Sequence, residues 1–354
     1  MVRLLYLGVA FGTLVSANAA SSHGGSWDTL APIPIAPRQE HGAVALSDQK
    51  LAIIGGIVPN SNGPGFNTTS MYQIYDIPSN SWSSAADAPI EVNHPNVAVV
   101  DGKVYLLGGL SVATGGAWRA FPESWVYDPI TNVWTPIDSM PLGTERGSAT
   151  VGVHGKKIYL AGGMRTLEPI GELGEQDTVD FVTAFDTEIM SWCTLPPFAR
   201  NLPEVRDHAG GSVAGNQFYL IGGRERGQRN VKDTVFTLDL DNLEGGWTRK
   251  GSRMPTARGG VVTGTVNGKI YIFGGEGNSA EGTNGIFNET EVFDTKTEIW
   301  KRLAPMPVPR HGGSAVAIRG SIYLPGGGLQ EGGSPDSTFD VYRPKQQFSP
   351  FFLY

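Results

Sequence analysis

The sequence predicts an all-β fold, a six-bladed β-propeller with four antiparallel strands per blade, and three observations carry that prediction. Gly-Gly doublets recur six times, each ending an apolar run. An Asp-to-Trp hairpin follows five of them. The Trp that the sixth lacks stands near the N-terminus, where one further strand can close the ring.

Taken from the N-terminus, residues 1–19 read as a signal peptide: Arg3, an apolar run from Leu4 to Val15, then Ala17-Asn18-Ala19. That is a basic start, an apolar centre and a small-residue cleavage pattern. The run is too short to cross a ~30 Å hydrocarbon core, and no later stretch reaches eighteen consecutive apolar residues. The mature chain, 20–354, is expected to be one propeller, secreted or in the lumen of the secretory pathway. Two N-x-S/T sequons, at Asn67 and Asn288, fit that route and are expected to be glycosylated. The segment SWDTLAPIP follows the leader, and its Trp27 marks it as the outermost strand of the last blade.

The doublets stand at Gly55-Gly56, Gly108-Gly109, Gly162-Gly163, Gly222-Gly223, Gly274-Gly275 and Gly326-Gly327, spaced 53, 54, 60, 52 and 52 residues apart. A period of about fifty residues is a repeat signature. Before each doublet, two apolar stretches flank a short polar turn such as DGK, GNQ or NGK, which reads as a β-hairpin. Those are strands a and b. Glycine suits the sharp exit from b because it tolerates positive φ. After an irregular loop comes a second hairpin, strands c and d. Asp-to-Trp spacing there is six in four repeats (Asp76 to Trp82, for example) and eight from Asp239 to Trp247. The sixth repeat has FDVYRP but no Trp, so Trp27 supplies the missing strand and leaves no open edge.

Composition agrees. The 354 residues hold 48 Gly, 24 Pro and 40% apolar residues, enough for a loop-rich globular chain with a large core. A net charge of −7 and the lack of a Lys/Arg run exclude a nucleic-acid footprint. One cysteine excludes an internal disulfide and the usual thiolate zinc clusters.

The Gly pair, the aromatic-Asp and the Trp recurring about every fifty residues resemble kelch repeats, from Trp27 to about Arg343. The resemblance implies a kelch propeller, and the leader and sequons make it similar to secreted single-domain fungal kelch proteins. Some kelch propellers are enzymes. Copper radical oxidases resembling galactose oxidase need a Cys–Tyr crosslink at the metal, but Cys193 directly follows Trp192 on an outer strand. Iron-binding specifier proteins carry E-x-x-x-D-x-x-x-H, and the nearest cluster here, Glu204, Asp207 and His208, has other spacing. No G-x-S-x-G, P-loop or H-E-x-x-H occurs. No metal and no cofactor is expected.

Long b–c loops and d–a linkers share one face, the usual place for binding residues. Arg38, Arg146, Arg206, Arg258 and Arg310 recur there, sixteen or seventeen residues before their doublets. His41, His94 and His208 lie fourteen residues before theirs, and His311 fifteen. One reading is a ring of cations and imidazoles round the channel mouth, suited to a polar or anionic ligand or to acid–base work. The other is scaffolding, with Arg and His bonded to loop carbonyls. On the first reading Arg38, His41, Arg146, Arg206, Arg258 and Arg310 bind ligand, joined by Trp118 and Arg119 from the second b–c loop. His94, His208 and His311 would transfer protons. Loop residues Arg165, Glu168, Arg224, Glu225, Arg226 and Arg229 add charge. The expected function is therefore secreted binding of a small molecule, glycan or protein by a monomer, with no nucleic acid and no membrane as partner. The alternative is a cofactor-independent isomerase, lyase or cyclase, of the kind that secondary-metabolite pathways employ.

Overall fold

The structure, a computed structural model, describes residues 24–170 and 175–345; the expected leader lies outside them. Six four-stranded antiparallel sheets follow one another round a central axis. In blade one the strands are Gly42–Ala45, Lys50–Ile54, Tyr72–Asp76 and Ser81–Ser84, from the axis outwards. The innermost strands of blades two to six are Val97–Val100, Thr150–His154, Gly210–Ala214, Val262–Val266 and Val316–Ile318. The sixth sheet is completed by Gly25–Thr29, which pairs antiparallel with Phe339–Pro344 and sets Trp27 opposite Tyr342. Ring closure by the N-terminal strand is thus a feature of the fold. Among the described residues no helix is long and apolar enough to cross a membrane.

Each sheet is apolar on both faces and has a neighbour on each side, so the core is divided into six wedges. Between blades one and two, for instance, Tyr72 stands edge-on to Tyr127, with ring centroids 4.8 Å apart. The outer Trp residues tie blade to blade. Trp82 Nε1 donates to Ala31 O at 2.9 Å, Trp134 to Ala86 O at 2.9 Å, and Trp192 to Asp138 O at 3.0 Å, each acceptor in the preceding linker.

The doublets do the same near the axis. All twelve glycines have positive φ, 55–70° at the first position and 89–150° at the second. A Cβ on Gly274 would collide with Arg310 O, and the next amide, Gly275 N, donates to that same carbonyl at 3.0 Å. Here the neighbouring linker passes against the backbone, and only glycine leaves room.

The strands of blade two run long. Lys103–Val112 and Trp118–Asp128 project as an arm past the sheet, and Ala120 N donates to Arg165 O at 2.8 Å in the next blade's loop. Blade one carries a smaller ribbon, Ile57–Pro59 with Phe66–Thr68, which exposes Asn67. Asn288 is exposed as well.

Candidate functional site

One residue per blade turns into the innermost strand with positive φ: Glu40 (53°), His94 (50°), Ser148 (54°), His208 (49°), Gly260 (59°) and Gly312 (55°). These six form a ring held by backbone hydrogen bonds between neighbours. His94 N donates to Glu40 O, Ser148 N to His94 O, Gly260 N to His208 O, Gly312 N to Gly260 O and Glu40 N to Gly312 O, at 2.6–3.0 Å. At the sixth link His208 N takes Ser148 Oγ instead, at 3.3 Å. The ring forms the loop-side end of a channel of about 700 Å³, walled by small apolar residues such as Ala43, Val97, Val151, Ala149 and Ala315.

Three ring side chains meet. His94 Nε2 lies 3.1 Å from His208 Nε2 and 3.2 Å from Glu40 Oε2, and His208 Nε2 lies 3.9 Å from Glu40 Oε2. Each is oriented by the residue before it in the chain. Gln39 Nε2 donates to Glu40 Oε1 at 3.2 Å, Asn93 Oδ1 faces His94 Nδ1 at 2.6 Å, and Asp207 Oδ1 faces His208 Nδ1 at 2.6 Å. Behind them Arg224 bonds Asp207 at 3.0 Å and Glu276 at 2.6 Å, all three buried. Loop residues cover this layer, with Gln228 Nε2 and Gly332 N both donating to Glu276 Oε2.

Burial pushes His94 down to about 4, so its imidazole is neutral at pH 7. Burial works against the carboxylates too, but it is outweighed at each one. Arg224 and the facing imidazoles bring Glu276 down to about 2 and hold Asp207 below the carboxylate range. The histidines do the same for Glu40. For Arg224 burial loses to Asp207 and Glu276, and its guanidinium stays charged.

The structure redistributes the expected site residues. The five arginines do not line the channel. Each is at most 2% exposed and donates to its own doublet's first carbonyl, as Arg146 Nε does to Gly162 O at 2.6 Å and Arg310 Nε to Gly326 O at 2.9 Å. Arg38, Arg206 and Arg258 bond Gly55 O, Gly222 O and Gly274 O in the same way. This corrects the ligand-binding reading of the set: the spacing of sixteen or seventeen residues is the distance from a linker to its own strand exit. Blade two shows the role by substitution, for Val92 fills the place of Arg and Asn96 Nδ2 caps Leu107 O and Arg146 O, both at 2.8 Å.

His94 and His208 are brought together as expected, but His41 and His311 stand off their level. His41 is buried one step beyond the ring, with both ring nitrogens unpartnered among the described residues, and burial followed by Arg38 lowers it to about 3. His311 precedes the ring and donates Nε2–H to Gln330 O at 2.7 Å. Trp118, half-buried, stands 6.0 Å from the His94 ring. Arg119 is exposed on the rim and pairs with Glu168 at 2.8 Å.

A pH prediction follows from His41 and His94. Both are depressed in the folded state, so their neutral forms add stability above the ordinary histidine value of 6.5, and this is lost as pH falls towards 4 and then 3. The melting temperature is expected to drop across that window, and less steeply in His41→Leu; equal slopes would dismiss His41 as a contributor.

Sequence reasoning missed Glu40, Asp207 as an orienting group, Arg224 and Glu276 as a buried pair, and the ring itself. Counting back from the doublets hid the level, because the a–b turn of blade one has one extra residue. Counting two forward from each arginine finds Glu40, Ser148, His208, Gly260 and Gly312 together.

Comparison with known proteins places this geometry in context. The family model described as the KLHDC2/KLHL20/DRC7 kelch-repeats domain matches residues 17–210 and 171–345. Kelch-like protein terF of Aspergillus terreus is 38% identical over 324 residues, which cover 90% of this chain and 68% of that protein. Kelch-like protein 15 of Homo sapiens is 28% identical over 263 residues, 69% of this chain but only 40% of that protein. A solved structure described as "Structure of YjhT" superimposes with a TM-score of 0.68 at 19% identity, covering 88% of this chain and 96% of that one, a likeness of fold alone.

Proposed function

This chain belongs to the kelch-repeat family, and from that premise we propose that its propeller receives a small oxygenated organic molecule in the central channel. The apolar body of the ligand would lie against the strand walls, its polar end against Glu40, His94, Ser148 and His208. The observation that carries the reading is the gathering of titratable groups at one end of the channel. Its walls are small residues, Ala, Val and Gly with Thr263 and Thr265 among them, and its acid–base groups are gathered at one end, each held in one orientation by a buried neighbour. A concave apolar site with a few convergent polar groups is the usual form of a small-molecule pocket. A glycan or protein on the loop face would meet Trp118 and Arg119 instead of the buried ring.

The protein is proposed to act as a secreted monomer carrying glycans on Asn67 and Asn288, both exposed. A second reading, an isomerase, lyase or cyclase, is favoured by the paired histidines, which could pass a proton to a ligand's carbonyl or hydroxyl.

One preparation tests the set. Protein secreted from a eukaryotic host should appear in the medium and shift on endoglycosidase treatment. Small phenols, enones and hydroxy acids screened by ligand-observed NMR should include binders. Filling the channel with Ala149→Phe and Ala315→Phe should abolish that binding while the melting temperature holds. Equal binding by the filled variant would place the ligand elsewhere and sink the reading.

A further inference from the structure

We propose that Glu40, His94 and His208 bind one divalent transition-metal ion, through Glu40 Oε2 and the two Nε2 atoms, at the loop-side end of the channel. The inference goes beyond small-molecule binding and stands without it.

The first ground is the direction of the lone pairs. Asn93 Nδ2 is committed to Thr68 Oγ1 at 2.8 Å, so its Oδ1 faces His94 and requires a proton on Nδ1. Asp207 can only accept, which puts the His208 proton on Nδ1 as well. Both Nε2 atoms therefore present lone pairs, and they point at each other and at a carboxylate oxygen. Three acceptors converge with no donor among them. Arg224 Nη2 does not supply one. It lies 2.7 Å from Nδ1 and 3.2 Å from Nε2 of His208, near both at once. An N–H aimed along one lone pair would be far from the other nitrogen, so this guanidinium rests against the ring face. A single proton could relieve one of the three contacts; a cation relieves all of them.

The spacing is the second ground. Donors about 2.1 Å from a shared ion lie roughly 3.0–3.4 Å apart at right to tetrahedral angles. The two shorter separations, 3.1 and 3.2 Å, fall in that range, and the third, 3.9 Å, is a wider angle about the same point.

The outer partners are the third, since ligating histidines usually donate their other N–H to a carboxylate or carbonyl oxygen. Asp207 and Asn93 do this, and Gln39 fixes the carboxylate.

Two imidazoles and one carboxylate favour zinc, iron(II), cobalt(II) or manganese over calcium or magnesium. Three protein ligands leave coordination positions facing the channel, beside Ser148. An ion there would offer a ligand's oxygen atoms a Lewis acid.

The test uses the purified full-length chain, stripped with EDTA and titrated with Co²⁺ by calorimetry and visible absorption, then challenged with Zn²⁺. One equivalent of Co²⁺ with visible d–d bands, displaced by Zn²⁺, is expected. Glu40→Gln, nearly isosteric, and His94→Ala and His208→Ala should each weaken binding by more than about 100-fold, and Asn93→Ser by about 10–100-fold. Lys301→Ala, exposed on the outer strand of blade five, should change nothing. Failure of the folded wild type to take up one equivalent, or unchanged affinity in folded Glu40→Gln, would overturn the proposal. Channel binding of organic compounds by the metal-free protein would leave the first reading intact in either case.

Discussion

Deleting residues 20–35 is expected to lower the melting temperature by at least about 10 °C. The segment holds the outermost strand of blade six, whose five residues pair with Phe339–Pro344. Trp27 packs 4.9 Å from the Tyr342 ring and 5.4 Å from that of Phe273, and its Nε1 donates to Ala304 O at 3.3 Å. Losing such an aromatic costs about 3–5 kcal/mol. Loss of Ala31 O leaves Trp82 Nε1 without its acceptor, and loss of Ile33, 4% exposed, opens the wall near Arg38. Beyond these terms the deletion uncovers a sheet edge, and it unlinks the last blade from the chain's start. A circular permutant separates closure from mere loss of residues. Lys345 N already donates to Gly24 O at 2.9 Å, so a short turn can join them, with new ends placed at the exposed Gly115-Gly116 turn. That permutant should melt within a few degrees of the natural chain. If the deleted protein melted at the natural temperature instead, the N-terminal strand would have no part in holding the ring.

The fold was legible because each blade repeats the same three physical demands: a positive-φ strand exit, a tight a–b turn and an aromatic that fills a wedge. Six copies of one demand average out local noise. The candidate site was legible only in part, because function sits where the copies differ. Arg224 and Glu276 follow their doublets at a place where Ile57, Leu110 and Met164 are apolar and Gly328 is bare. That substitution of charge for apolar bulk was a readable signal of the buried pair. The direction of the arginines was not readable. A linker arginine near an axis can point into the channel or back along its own strand, and only the doublet carbonyls, lacking partners of their own, decide for the latter. Glu40 was hidden by a single residue: the a–b turn of blade one, Ser47 to Gln49, is longer than the two-residue turns such as Asp101-Gly102, so the count fell on His41.

Scaffolding arginines make the second large prediction, and blade five gives its cleanest form. Arg258 is fully buried; it donates to Gly274 O at 2.7 Å, to Thr256 O at 2.9 Å and to Glu291 Oε2 at 2.6 Å. Glu291 is equally buried, and its other oxygen accepts from Thr256 Oγ1 at 2.8 Å. Removing one partner of such a pair leaves the other underpaired, at about 3–5 kcal/mol, although Arg302 Nε, 3.5 Å from Glu291 Oε1, offsets part of that loss. Arg258→Met should therefore unfold in urea at a much lower midpoint than the natural chain. Glu291→Gln keeps an acceptor for Arg258 and is expected to cost less, about 1–2 kcal/mol. The double variant Arg258→Met with Glu291→Met should be more stable than Arg258→Met alone, since it buries no lone carboxylate. It should not regain the natural value, because Gly274 O still lacks its donor. That comparison distinguishes this cause from a simple cavity. A double variant no more stable than Arg258→Met, by chemical denaturation at pH 7, would assign the loss to packing, and the arginines would then matter for their volume instead of their charge.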